Sequence, residues 1–259
     1  MKIAITTELD YLFSTESDVL LQLEAAPLPD QIIETAHIDI SATPHFARVP
    51  GHQGIGDRIW LRVDGGRLTV SYTATIAIER RLVDCAPLSA CPPHLLPGDT
   101  IEYLMPSRYC PSDQFQNFVE AEFGDLTGGT RVTALRNWVA EHFTYQSGVS
   151  DASTTALESF VMRQGVCRDY AHVLISLVRA SGIPARFASV YAPGVEPQDF
   201  HAVAEVYLDG GWHLLDATGM ATPDTIAVIG VGRDAADVSF LTSYGFAELC
   251  RQSVSVVAA

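Results

Sequence analysis

The sequence predicts an α+β chain: a β-sandwich-like N-terminal part, then a part in which helices pack on an antiparallel sheet. Three observations carry this. Up to residue 85, apolar runs rich in Val, Ile, Leu and Thr recur without sustained helical period. Residues 86–111 then hold six of the fourteen prolines. From Ser112 onward the apolar spacing becomes helical before strand-like runs return.

In the first part, residues 19–24, 32–40, 58–63 and 68–79 read as strands. Leu68-Thr69-Val70-Ser71-Tyr72 alternates apolar with polar, and Asp64-Gly65-Gly66 between two such runs is a hairpin signal. Prolines fix φ and remove donors, so residues 86–111 are expected to be an irregular connection. Ile101, Tyr103, Leu104 and Met105 are too apolar for a free linker and are expected to pack.

Phe115, Phe118, Val119 and Phe123 have helical spacing, as do Val132, Leu135, Trp138, Val139 and Phe143. A third helix over 155–164 begins with Thr155-x-x-Glu158, a capping-box pattern. A fourth follows Cys167, lined by Tyr170, Ala171, Leu174, Ile175 and Val178, and is closed by Gly182 and Pro184. Strands are expected at 185–191, 200–208 and 212–218. The division this implies is a β-rich domain over 1–85, a connection over 86–111 and a mixed helix-and-strand domain over 112–259.

Composition narrows the function. The chain has 259 residues, 47% hydrophobic and 18% charged, with a formal net charge of −15. Such a surface repels phosphate backbones and anionic lipid, so neither nucleic acid nor membrane is an expected partner. Met1–Ile5 is followed by Glu8 and Asp10, not by an export-signal pattern, so the expected location is cytoplasmic. Five cysteines, an odd number, argue against a disulfide framework. Cys85, Cys91 and His94 superficially suggest a metal, but their spacing is not that of a structural zinc site.

Cys167 stands apart from the other cysteines. It opens a helix, where unpaired N–H groups and the helix dipole favour a thiolate and can face an oxyanion. A lone cysteine is otherwise read as a small buried apolar residue. A nucleophilic cysteine needs a base. Asp209-Gly210 is a favoured two-residue turn; if it forms the loop, Leu208 faces Gly211 and His201 shares a face with Asp216. A loop at Gly210-Gly211 preserves that shared face, whereas a one-residue slip destroys it. Asp216 sits in apolar company and needs a partner. His172 lies too far along the helix to touch Cys167, His213 has the wrong parity, and His142 is expected to be exposed.

Gly165-Val166-Cys167-Arg168-Asp169-Tyr170-Ala171-His172 and Ala180-Ser181-Gly182-Ile183-Pro184-Ala185-Arg186 resemble the core motif of bacterial transglutaminase-like proteins. Phe200–Tyr207 resembles that family's histidine strand and Trp212–Thr218 its aspartate strand, with 34 positions from Cys167 to His201 and 15 from His201 to Asp216. The resemblance covers residues 112–235, and Tyr103–Tyr109 is similar to the segment that precedes the core. It implies a papain-like core, with Cys167 as nucleophile, His201 as base and Asp216 as the group that orients the imidazole. It also implies a supporting role near the oxyanion for Tyr145 or Gln146. Arg168 and Asp169 are expected to brace the helix start. Family members often carry tryptophan two residues after the histidine; this chain has Val203, a departure in the lining of the acyl pocket.

The expected activity is cysteine-dependent acyl transfer on a peptide or protein carboxamide through a thioester, resolved by water or by an amine, with no cofactor. The segment 193–197 is expected to form one wall of the site. Two other readings are a catalytically silent binding or scaffold protein that keeps the fold, and a zinc site made by Cys167, His201 and Asp216. For the last, no stoichiometric metal is expected. The steps up to the thioester are common to protease, transglutaminase and deamidase.

Overall fold

The computed structural model describes residues 1–41 and 43–259. Six strands fill the first third: β1 (Lys2–Phe13), β2 (Ser17–Leu21), β3 (Gln31–Ile40), β4 (His45–Pro50), β5 (Asp57–Val63) and β6 (Gly66–Ile78). β1 and β6 alternate buried with less buried positions along their length, as strands do when one face lies on a core. Ile3, Ile5 and Leu9 of β1 meet Val70, Tyr72 and Ile76 of β6, and that face packs on Val19, Leu21, Ile59 and Leu61 of β2 and β5. At the hairpin between β5 and β6, Gly65 and Gly66 have φ of 95° and 86°, values that glycine takes without strain.

The proline-rich segment is irregular, with short 3-10 turns at Pro93–Leu95 and Gly98–Leu104. Tyr103 is wholly buried in it, but Ile101 and Met105, expected to pack, are 45% and 51% exposed. The buried Arg179 guanidinium fixes the segment by donating to Met105 O at 3.0 Å and Ser107 Oγ at 3.1 Å.

The remaining elements run α1 (Gln116–Phe123), α2 (Gly128–His142), β7 (Thr144–Tyr145), α3 (Ala156–Met162), β8 (Gln164–Gly165), α4 (Cys167–Ala180), β9 (Ala185–Tyr191), β10 (His201–Leu208), β11 (Gly211–Leu215), β12 (Ala227–Gly232), β13 (Leu241–Ser243) and β14 (Ala247–Ala258). β7 and β8 form a short parallel pair. The three four-stranded sheets are antiparallel, in the orders β14-β1-β6-β3, β13-β2-β5-β4 and β11-β10-β9-β12. The α+β class is therefore observed, with two sheets facing each other and a third covered by helices.

α4 lays Ala171, Leu174, Ile175 and Val178 into one core with Ala185, Phe187, Ala204 and Val206 of β9 and β10. At the end of β9, Tyr191 joins Ala227 and Ile229 of β12 in the core of the N-terminal sheets, while Ala188, Val190, Val203 and Val228 pack in a separate core. Every residue of β9 and β12 is buried, which is why these strands carry no apolar–polar alternation.

Residues 241–258, expected on sequence within the 112–259 part, do not join the sheet covered by helices. β13 pairs with β2, and β14 pairs with β1 along nearly its whole length. The apolar residues Val254 and Val256 of β14 complete the N-terminal core. Gln31 of β3 adds a polar joint: its side chain donates to Val228 O at 2.8 Å and accepts from Val228 N at 2.6 Å.

Candidate active site

Cys167 is the first residue of α4, and Val166 before it is extended, with φ −105° and ψ −179°. The Asp169 carboxylate holds this turn. It accepts from Val166 N at 2.9 Å and Ser150 Oγ at 2.6 Å, and from the Arg168 guanidinium at 3.1 Å. Arg168 also donates to Asp151 O at 2.8 Å. These two residues therefore brace the helix start. Gly165 is required by the same packing, since a Cβ there would stand 2.5 Å from the Asp169 Cβ.

His201 opens β10, and the hairpin after it has the register expected from Asp209-Gly210. Leu208 pairs with Gly211 and Ala204 with Leu215. Asp209 and Gly210 have φ of 51° and 79°, the two positive values that this kind of turn needs. The second strand is shorter than expected, ending at Leu215. Asp216 leaves it because its carboxylate turns back on the following backbone, accepting from Thr218 N at 2.8 Å and Ala221 N at 2.9 Å. The Thr218 hydroxyl lies 2.7 Å and 2.8 Å from the two carboxylate oxygens. Arg136 of α2 donates to Asp216 O at 2.9 Å.

His201 Nε2 lies 2.9 Å from Asp216 Oδ2, and both side chains are essentially inaccessible to solvent. An ionised carboxylate only accepts, so Nε2 carries a proton and donates. His201 Nδ1 has no close hydrogen-bond partner among the described residues. Burial works against the imidazolium. The Asp216 hydrogen bond, then the neighbouring Cys167, outweigh it and raise the His201 pKa to about 9. Burial likewise opposes the Asp216 carboxylate, but its bonds to His201 and Thr218 hold its pKa below the ordinary value. Cys167 and His201 line one cleft of about 260 Å³.

Tyr145, on β7, packs beside Cys167 at the same core. Its hydroxyl is pushed up to about 12, first by burial and then by the charge of Cys167. Gln146 is exposed, and its backbone N–H donates to Gly165 O at 2.9 Å. Neither lines the cleft shared by Cys167 and His201; of the two, Tyr145 is the one whose hydroxyl feels the Cys167 charge.

His172 is fully buried and stacked on Tyr109 at 5.2 Å, with Nε2 accepting from Ala235 N at 3.1 Å. Burial first, and then the Arg168 and Arg179 charges, hold it neutral by lowering its pKa well below the ordinary value. His213 turns to Leu208 O at 3.2 Å, and His142 is exposed. The segment 193–197 does not line the cleft; Val195 is buried in a separate core. The wall comes from residues 235–241 instead, a stretch without periodicity that sequence reading passed over. Thr218, Ala221 and Arg136 were also missed. The Asp-x-Thr spacing of Asp216 and Thr218, typical of a carboxylate that caps its own turn, was the available signal for Thr218. Cys85 and Cys91 sit on Val83 O and Pro92 O, at 3.9 Å and 3.7 Å. Among the described residues, no group of three or more His, Cys, Asp or Glu is arranged to hold a metal ion.

The whole chain superposes on a candidate cysteine protease from Cytophaga hutchinsonii with a TM-score of 0.94 at 31% identity, covering 100% of this chain and 90% of that one. Residues 116–217 match the family model described as the transglutaminase-like superfamily. The chain belongs to the transglutaminase-like superfamily. The residues matched by the superfamily model include Cys167, His201 and Asp216. Two mycobacterial relatives are also similar: an uncharacterized protein of Mycobacterium leprae, 27% identical over 117 residues, and one of Mycobacterium tuberculosis, 35% identical over 119 residues. The matches span 42% and 38% of those proteins' lengths, and 42% and 40% of this superfamily member. Membership and the Cytophaga likeness support a cysteine-dependent activity in general terms. No helix among the described residues is long and apolar enough to cross a membrane.

Proposed function

We propose that the chain catalyses acyl transfer from a peptide or protein carboxamide through a thioester on Cys167, with His201 as base and Asp216 as its orienting partner. The observation that carries this is the buried His201–Asp216 pair. Asp216 occupies Nε2 at 2.9 Å and leaves Nδ1 without a close partner in the cleft that Cys167 lines. Nδ1 is then the atom that takes the thiol proton. The sulfur attacks the carbonyl carbon, and the imidazolium returns the proton to the departing amine or ammonia as the C–N bond breaks. Water or a second amine attacks the thioester, gives its proton to Nδ1 and releases the sulfur. In this reading, backbone N–H groups at the start of α4 and the Tyr145 hydroxyl share the oxyanion charge.

Competitive labelling tests the nucleophile. Cys250 is exposed and Cys167 is only partly so, so exposure alone favours Cys250. With limiting iodoacetamide at mildly acidic pH, the proposal expects Cys167 to be carboxymethylated first, as mapped by peptide mass spectrometry. It also expects Cys167→Ala to lose all hydrolysis and cross-linking of peptide carboxamides. Labelling of Cys250 ahead of Cys167 would count against it.

A further inference from the structure

The cleft that holds Cys167 and His201 has a lining unlike the rest of the molecule's surface. The chain carries a net charge of −15, yet no carboxylate lines this cleft. Its walls are Phe187 and Val238, which are 4% and 2% exposed, together with Phe200, Phe240 and Leu241. Phe200 and Phe240 stack face to face, with centroids 4.5 Å apart and planes 8° from parallel. Of the polar lining, the Ser239 hydroxyl is committed to Ala235 O at 2.8 Å and the Arg168 guanidinium to Asp169 and Asp151. A charged side chain entering the cleft would lose water; a cation would meet no carboxylate in the lining, and an anion only the imidazolium of His201, already paired with Asp216.

The wall is also held in place before any substrate arrives. His172 Nε2 accepts from Ala235 N at 3.1 Å. The buried Asp234 carboxylate accepts from Tyr109 N at 2.9 Å and Ala236 N at 3.0 Å. Phe240 O accepts from Gln22 N at 3.0 Å, which ties the wall to the N-terminal sheets. A pocket fixed in this way discriminates by shape, because little ordering is left to offset on binding.

Resting on the acyl-transfer reading, we propose that this cleft is the side-chain pocket for the acyl donor. It selects donors whose residue next to the attacked carbonyl carries a large apolar side chain, aromatic above all, over charged or carboxamide-bearing ones. The volume of about 260 Å³ suits one large side chain, and the stacked phenylalanines offer aromatic faces to it. Val238 and Phe240 are the residues that set the preference.

The test uses the full chain and a series of fluorogenic peptide amides with one constant leaving amine, the acyl residue being Phe, Leu, Ala, Gln, Glu or Lys. The proposal expects kcat/KM for Phe and Leu to exceed that for Ala by about tenfold to a hundredfold, with Glu and Lys below Ala. In Phe240→Ala, checked for an intact thermal transition, the Phe-to-Ala ratio narrows. The wild-type series decides by itself should that variant not fold. Equal rates across the series, or a preference for Gln, Glu or Lys, would overturn the pocket assignment while leaving Cys167 chemistry in place. Absence of turnover throughout, together with an unreactive Cys167, would overturn the acyl-transfer reading and the pocket with it.

Discussion

Asp216 holds His201 through a 2.9 Å hydrogen bond to Nε2, and is itself held by the N–H groups of Thr218 and Ala221 at 2.8 Å and 2.9 Å. The carboxylate is buried but not under-satisfied, so its charge is available to the imidazole and its geometry is fixed. Replacing Asp216 by Asn keeps the shape and removes the charge. The amide can present N–H to Nε2 and favour the wrong tautomer. Turnover of a peptide amide in Asp216→Asn is expected to fall by about 10²–10⁴-fold with the fold intact, as read by steady-state kinetics beside circular dichroism.

The same pair gives a signed pH dependence of stability. His201 is raised in the folded chain to about 9, whereas in the unfolded chain it titrates near the ordinary 6.5. The folded state therefore holds the proton more tightly. This contribution is complete below about pH 6.5 and is lost as the pH rises through about 9. Melting temperatures of wild type and His201→Gln across pH 6 to 10 should converge as the pH rises. A gap that does not change with pH would contradict the assignment.

Gly165 has no room for a side chain, because a Cβ would stand 2.5 Å from the Asp169 Cβ and 2.7 Å from its Oδ2. Asp169 cannot retreat without releasing Val166 N and Ser150 Oγ. Gly165→Ala is expected to cost about 1–3 kcal/mol, seen as a lower urea midpoint, and to slow labelling of Cys167 by shifting the start of α4.

Gln31 and Val228 are 197 positions apart and exchange two hydrogen bonds across the joint between β3 and β12. Gln31→Leu leaves the Val228 N–H and the Ala26 C=O without their Gln31 partners in a buried setting, while Val228 O keeps Ala26 N at 2.8 Å. The expected loss is about 2–4 kcal/mol from two orphaned backbone groups. Chemical denaturation measures it, and a loss below about 0.5 kcal/mol would show that the joint is not maintained.

Much of the candidate site was legible because turn chemistry and strand parity constrain it. Asp209-Gly210 fixes the hairpin, and parity then puts His201 and Asp216 on one face. The Thr155–Glu158 cap was equally local and formed, with Thr155 N donating to Glu158 Oε2 at 2.7 Å. Other features were hidden for physical reasons. β14 pairs with β1 from the opposite end of the chain, and no local pattern names a partner so distant. β12, Ala227–Gly232, is buried on both faces and so lacks alternation, and its two glycines interrupt a short run of Val and Ile. The donors that turn Asp216 out of β11 include two backbone N–H groups, which look alike at nearly every position. β1 was missed although its alternation was present in the sequence.

Intact-protein mass spectrometry during turnover of an aryl ester or activated amide of an N-acylated phenylalanine tests the central claim most directly. The account predicts a transient adduct of the acyl mass, lost on neutral hydroxylamine treatment, located on Cys167 and absent from Cys167→Ala. An adduct of equal amount on Cys167→Ala, or one carried by another cysteine, would contradict it.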